Sequence, residues 1–134
     1  MACSSQAMIE AVLYEDGNGE LIGFKVKGHA GYAKRGEDIV CAGVSALVLT
    51  TIQSLDRFLS CQPLLELPEG TDGGSGEGFY VRVELPGSLT EEDRKAARII
   101  LGTLEIGLEM TASEYGRYIR VRRCRYDDSR QAEI

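Results

Sequence analysis

Two stretches near the start of the chain alternate apolar and polar side chains. Ile9 to Tyr14 does so in part, and Leu21 to Lys27 does so with Ile22, Phe24 and Val26 on one face. A period of two predicts half-buried strands. Between them lies Glu15-Asp16-Gly17-Asn18-Gly19-Glu20, rich in residues that tolerate positive φ, so the pair predicts a β-hairpin. From Asp38 the period lengthens. Val40, Val44, Leu47, Val48, Thr51, Leu55 and Phe58 fall on one helical stripe. Ile39 to Ile52 is apolar almost all round, which predicts a helix buried on more than one side, against a sheet and either a second helix or another subunit.

Pro63 and Pro68 close that region, and residues 69–78 hold five Gly in ten, a flexible loop. Without a Lys-Ser/Thr pair or a strand-to-helix context, it is not a phosphate-binding loop. Phe79 to Leu85 alternates cleanly, with Phe79, Val81, Val83 and Leu85 on one face, which predicts a further strand. Ser88 and Glu91 fit a capping box, and Ala97, Ile100, Leu101, Leu104, Leu108 and Thr111 form an amphipathic stripe behind it. Gly116 breaks the chain before a last strand, Tyr118 to Arg123. The order β-β-α-β-α-β predicts an α+β two-layer sandwich, a four-stranded sheet with two helices on one face. Residues 1–7 are expected to be a loose extension, 8–124 the domain and 125–134 a polar tail.

Composition fits this picture. At 134 residues, 43% hydrophobic and 27% charged, the chain suits one globular domain with its own core. It has no unbroken run of some 18–20 apolar residues, so no membrane span is expected. Its start lacks a basic stretch followed by an apolar one, so neither is a secretory signal. The four cysteines, Cys3, Cys41, Cys61 and Cys124, show no paired spacing and are accompanied by a single His, which argues against a structural zinc site. Reduced thiols in a cytoplasmic protein are expected, with no metal and no cofactor. The net charge is −6, yet Arg117, Arg120, Arg122, Arg123 and Arg125 fall within nine residues that contain no acid. Such a cluster suits a solvated edge strand, and it would also suit an acidic partner or RNA.

The candidate chemistry lies between the hairpin and the first helix. The only histidine, His29, stands twelve residues before Cys41, with Gly28, Gly31 and Gly36 around it. A thiol attacks as thiolate, and an imidazole or a helix N-terminus raises the thiolate fraction. If Asp38 is the N-cap, Cys41 sits at N3 among free amides that could also hold an oxyanion. His29 would take the thiol proton and later give it to a leaving amine. Each piece also has an ordinary explanation: histidines after strands are common, a cysteine on an apolar helix is often packing, Asp38 can cap without orienting His29, and Ser45 can be a small residue at a helix contact.

The run Gly28-His29-Ala30-Gly31, then Gly36, then Asp38-Ile39-Val40-Cys41-Ala42-Gly43-Val44-Ser45-Ala46 resembles the signature of the ribosomal-processing cysteine proteases, the Prp family. The resemblance extends from about Met8 to Arg123. It implies a fold of the order given above and a homodimer. It also implies endopeptidase removal of an N-terminal extension from a bacterial large-subunit ribosomal protein, the one numbered twenty-seven. Carried over, Cys41 is the nucleophile and His29 the general base, while Asp38 and Ser45 occupy motif positions of less defined role. An apolar cleft near Cys41, for aromatic residues before the cut, and movement of residues 30–37 are implied as well. Two other readings stand beside this one. The arginines could serve a non-catalytic ribosome- or RNA-associated module, although aromatic and basic residues do not interleave along one strand, so direct RNA contact is not expected. An activated Cys41 could instead sense oxidants.

Overall fold

The computed structural model describes residues 9–28, 35–67 and 79–126. The hairpin forms as the alternation predicts: β1 (Ile9–Glu15) pairs antiparallel with β2 (Leu21–Gly28). Its turn is held by Asp16, whose carboxylate accepts the amide hydrogens of Asn18 and Glu20 at 2.8 and 3.0 Å. Gly19 takes a φ of 83°, where a side chain would be strained. Next come α1 (Arg35–Phe58), β3 (Leu64–Glu66), β4 (Phe79–Glu84), α2 (Glu91–Glu114) and β5 (Ile119–Arg125).

Among the described residues the sheet has five strands in the order β3-β4-β2-β1-β5, one more than the sequence predicts. The added strand, β3, is only three residues long and lies between Pro63 and Pro68. Proline cannot donate to a ladder, which confines such a piece to an edge, and its Leu-Leu-Glu is too short to alternate visibly. β5 is the other edge and runs parallel to β1, so the arginine-rich segment is an edge strand. Arg123 does more than meet solvent there. It donates to Glu105 of α2 at 2.7 and 3.0 Å and to Glu15 of β1 at 2.8 Å. These two carboxylates push the Arg123 guanidinium pKa up, and Arg123 holds the Glu105 carboxyl below its usual range.

One face of the sheet supplies Ile9, Ala11, Leu13, Phe24, Val26, Val81, Val83 and Ile119 to the core. The helices fill its other side with Val40, Val44, Val48 and Leu55 from α1 and Ala97, Leu101, Leu104 and Leu108 from α2. The α2 stripe is the one the sequence predicts. The cap differs: Thr90, not Ser88, accepts the Asp93 amide hydrogen at 3.0 Å. The carboxylate of Asp93 is itself buried and accepts from the backbone and hydroxyl of Ser60 at 3.0 and 2.5 Å, tying the end of α1 to the start of α2.

α1 departs from expectation in two respects. It starts at Arg35, three residues before Asp38, so Asp38 lies within the helix and is not its cap. Gly36 costs a helix only about 1 kcal/mol, which does not stop an added turn. It is also less enclosed than predicted. Among its described side chains only the inner stripe is buried, and Ile39, Leu49 and Phe58, the last expected on that stripe, are 58%, 60% and 65% exposed. By length and composition Ile39–Phe58 would also suffice to cross a bilayer, although no unbroken apolar run marks it in the sequence. Its inner stripe is part of the core described above.

Candidate active site

The strand before His29 is fixed from both sides. Gly28, the last residue of β2, pairs with Ile9 of β1 and Phe79 of β4. A Cβ at Gly28 would lie 2.7 Å from the Ile9 Cα, closer than real atoms approach, so only glycine permits this register. The chain therefore leaves the sheet at a defined point. His29 and residues 30–34 lie outside the described residues, as do residues 1–8, 68–78 and 127–134. So the expected movement of residues 30–37 falls partly there, while Arg35 to Asp38 are helical.

Cys41 stands on the first half of α1, at the edge of the core. Val40 and Val44 beside it are 1% and 0% exposed, which anchors this part of the helix. Cys41 and Ser45 are one turn apart on the half-buried flank of the buried stripe, the spacing at which helical side chains are neighbours. Cys41 is not in a disulfide. A half-buried thiol on a helix anchored in the core is a usable nucleophile if a base reaches it.

The earlier helix start changes one part of the predicted chemistry. With Arg35 first, Cys41 is the seventh helical residue. Only the first four helical amides lack an intrahelical partner, and the dipole effect fades beyond the first turn. The Cys41 amide is therefore not among the free donors, and the activation expected from the helix start is reduced. Neither of two cavities among the described residues is lined by Cys41, where the apolar cleft is implied. One, of about 450 Å³, is lined by Asp16, Leu21, Leu85, Leu89 and Ala97 among others, at the hairpin-turn end of the sheet, opposite Gly28, and another of about 450 Å³ lies along the second half of α1 beside Leu49, Gln53, Arg57 and Phe58. Asp38 is placed only as helical backbone.

Sequence reasoning did not foresee the Asp93–Ser60 link or the group on the other sheet face formed by Tyr14, Arg82, Glu84 and Tyr126. There the Arg82 guanidinium lies 5.1 Å from the Tyr14 ring centroid, the Tyr126 ring packs edge-on at 6.1 Å, and the Tyr126 hydroxyl donates to Glu84 at 2.9 Å. Only strand register reveals these neighbours.

A two-layer α+β sandwich with a cysteine on the first half of its central helix, behind a glycine-locked strand end, defines a class of candidate thiol enzymes. Residues 8–120 match the family model described as Cysteine protease Prp, and the chain belongs to that family. It is a cysteine protease. The chain is 32% identical to the ribosomal processing cysteine protease Prp of Bacillus subtilis over 114 residues, covering 85% of this chain and 96% of that protein. It is 26% identical to the Prp of Staphylococcus aureus, covering 85% and 97%. Among solved structures it is similar to SMU.848 from Streptococcus mutans, with a TM-score of 0.75, 24% identity and coverage of 91% and 98%. It is also similar to S. aureus Prp in complex with a covalently linked product peptide, with a TM-score of 0.66, 25% identity and coverage of 87% and 100%.

Proposed function

We propose that this chain is a cysteine endopeptidase that removes an N-terminal extension from a bacterial large-subunit ribosomal protein precursor, with Cys41 as nucleophile and His29 as general base. The observation that carries this reading is Cys41 itself, half-buried on an anchored helix. The names of its relatives as ribosomal processing proteases support the substrate class. The S. aureus structure with a covalently linked product peptide is the expected counterpart of an acyl-enzyme.

In this mechanism His29 accepts the Cys41 proton. The thiolate attacks the scissile carbonyl carbon, a C–S bond forms, and charge moves to the carbonyl oxygen. As the C–N bond breaks, the imidazolium returns its proton to the leaving amine. Water, deprotonated by His29, then attacks the thioester and releases the thiolate. Asp38 and Ser45 are proposed as positioning residues, Ser45 from its place one turn behind the sulfur.

The enzyme is further proposed to work in the cytoplasm and as a homodimer. The exposed apolar side chains Ile39, Leu49 and Phe58 of α1 and Ile99, Ile106 and Met110 of α2 support a second copy seated on the helical layer. The test of the central reading is cleavage of the precursor, followed by mass. The wild type is expected to yield the trimmed protein, with loss of at least about a thousandfold in Cys41→Ser and His29→Ala. Full cleavage by either variant would overturn the dyad.

A further inference from the structure

The sheet face turned away from the helices carries a charge that the whole chain does not. Strand register fixes its residues. Tyr80, Lys27, Glu10 and Arg120 form one row across β4, β2, β1 and β5, and Arg82, Lys25, Val12 and Arg122 form the next, with Glu66 beside Arg82. A third row holds Glu84, Gly23, Tyr14 and Cys124. Five of the chain's fifteen Lys and Arg stand on these strands facing this way, with only three of its twenty-one acids, in a protein of net charge −6. Lys27, Arg120 and Arg122 are exposed. Among the described residues they enter none of the ion pairs, which instead hold Arg82, Arg94, Arg98 and Arg123.

We propose that this face binds single-stranded RNA. Local field, rather than net charge, decides where a polyanion settles. The exposed cations are Lys27, Arg120 two strands away across Glu10, and Arg122 two residues further along β5, three charges within reach of one extended nucleic-acid strand. Half-buried Tyr80 stands directly across from Lys27, which supplies an aromatic ring beside the basic strip. Strand pairing thus brings one basic and one aromatic residue side by side although they lie far apart in sequence. The helix-side face and Cys41 stay clear of it. The choice of RNA over another polyanion rests on the proposed ribosomal substrate, since a precursor met on an assembling particle comes with exposed RNA. Binding here would raise the local concentration of the scissile peptide.

The test uses Cys41→Ser protein, fluorescein-labelled sixteen-nucleotide oligo(U), anisotropy and two salt concentrations, so its outcome does not depend on peptidase activity. Expected is binding in the roughly 1–100 μM range at ~50 mM salt, weakened about 20-fold at ~200 mM if three phosphates are contacted. Arg120→Glu/Arg122→Glu should reduce affinity at least about tenfold, while Arg57→Glu/Lys95→Glu, with the same charge change on the helical layer, should alter it less than about twofold. The proposal is overturned if no binding occurs at ~50 mM salt, if both pairs weaken it equally, or if poly-glutamate of equal charge competes as well as unlabelled oligo(U). Loss of precursor cleavage by the wild type would count against the peptidase reading alone.

Discussion

Gly28 has no room for a side chain, and that constraint bears directly on function. It fixes the strand end from which His29 departs, against the Ile9 backbone. Gly28→Ala is expected to force the β1–β2 register apart at that end and to lower kcat/KM for a precursor peptide about ten- to a hundredfold, with a lowered Tm. Unchanged kinetics would show that the strand end does not position the base. His29 and Cys41 stood out in the sequence because one histidine and one motif-bound cysteine carry chemistry that few other residues can. The amide environment of Cys41 did not, because it depends on where the helix starts. Asp38 looks like a cap in sequence, yet three further residues join the helix before it. A local preference of about 1 kcal/mol is not enough to mark such a boundary.

At the scale of elements, the two helices are joined through Asp93. Hydrogen bonds from the Ser60 hydroxyl and amide, then from Thr90, hold its carboxyl below the usual 3.8. A depressed folded-state pKa contributes stability that is fully present above the unfolded value and is lost as pH falls through the folded one. Asp93→Asn should therefore lower Tm at pH ~7 by a few degrees, and the gap to wild type should narrow from pH ~5 toward ~2. A gap that stays constant with pH would exclude the carboxylate as its source. The sequence revealed the long elements for a plain reason: the hairpin, β4 and α2 each bury one face, so their apolar residues keep a period of two or 3.6. β3 escaped because three residues cannot display a period. Its leucines, Leu64 at 60% and Leu65 at 49% exposed, also bury little to mark a face.

At the scale of the whole molecule, the apolar surroundings of α1 are half explained. Its inner stripe meets the core, while Ile39, Leu49 and Phe58 are exposed, as are Ile99, Ile106 and Met110 of α2. The sequence indicated a helix covered on more than one side but not by what, since periodicity counts apolar faces and not their partners. If a second copy covers this layer, wild-type protein sediments as a dimer, and Leu49→Asp shifts it toward monomer with the fold intact, because residue 49 is exposed in the single chain. Equal monomeric sedimentation of both proteins would remove the dimer from the account.

The dyad is tested most directly by the pH dependence of Cys41 alkylation by iodoacetamide, with the modified residue assigned by mass. In the proposed mechanism, with Cys41 at the seventh helical position, the imidazole supplies most of the activation. The wild type should then react with a midpoint clearly below the ordinary thiol value of about 8.5, and His29→Ala should return it toward that value. The same low midpoint in both proteins, or an ordinary one in both, would contradict a Cys41–His29 pair.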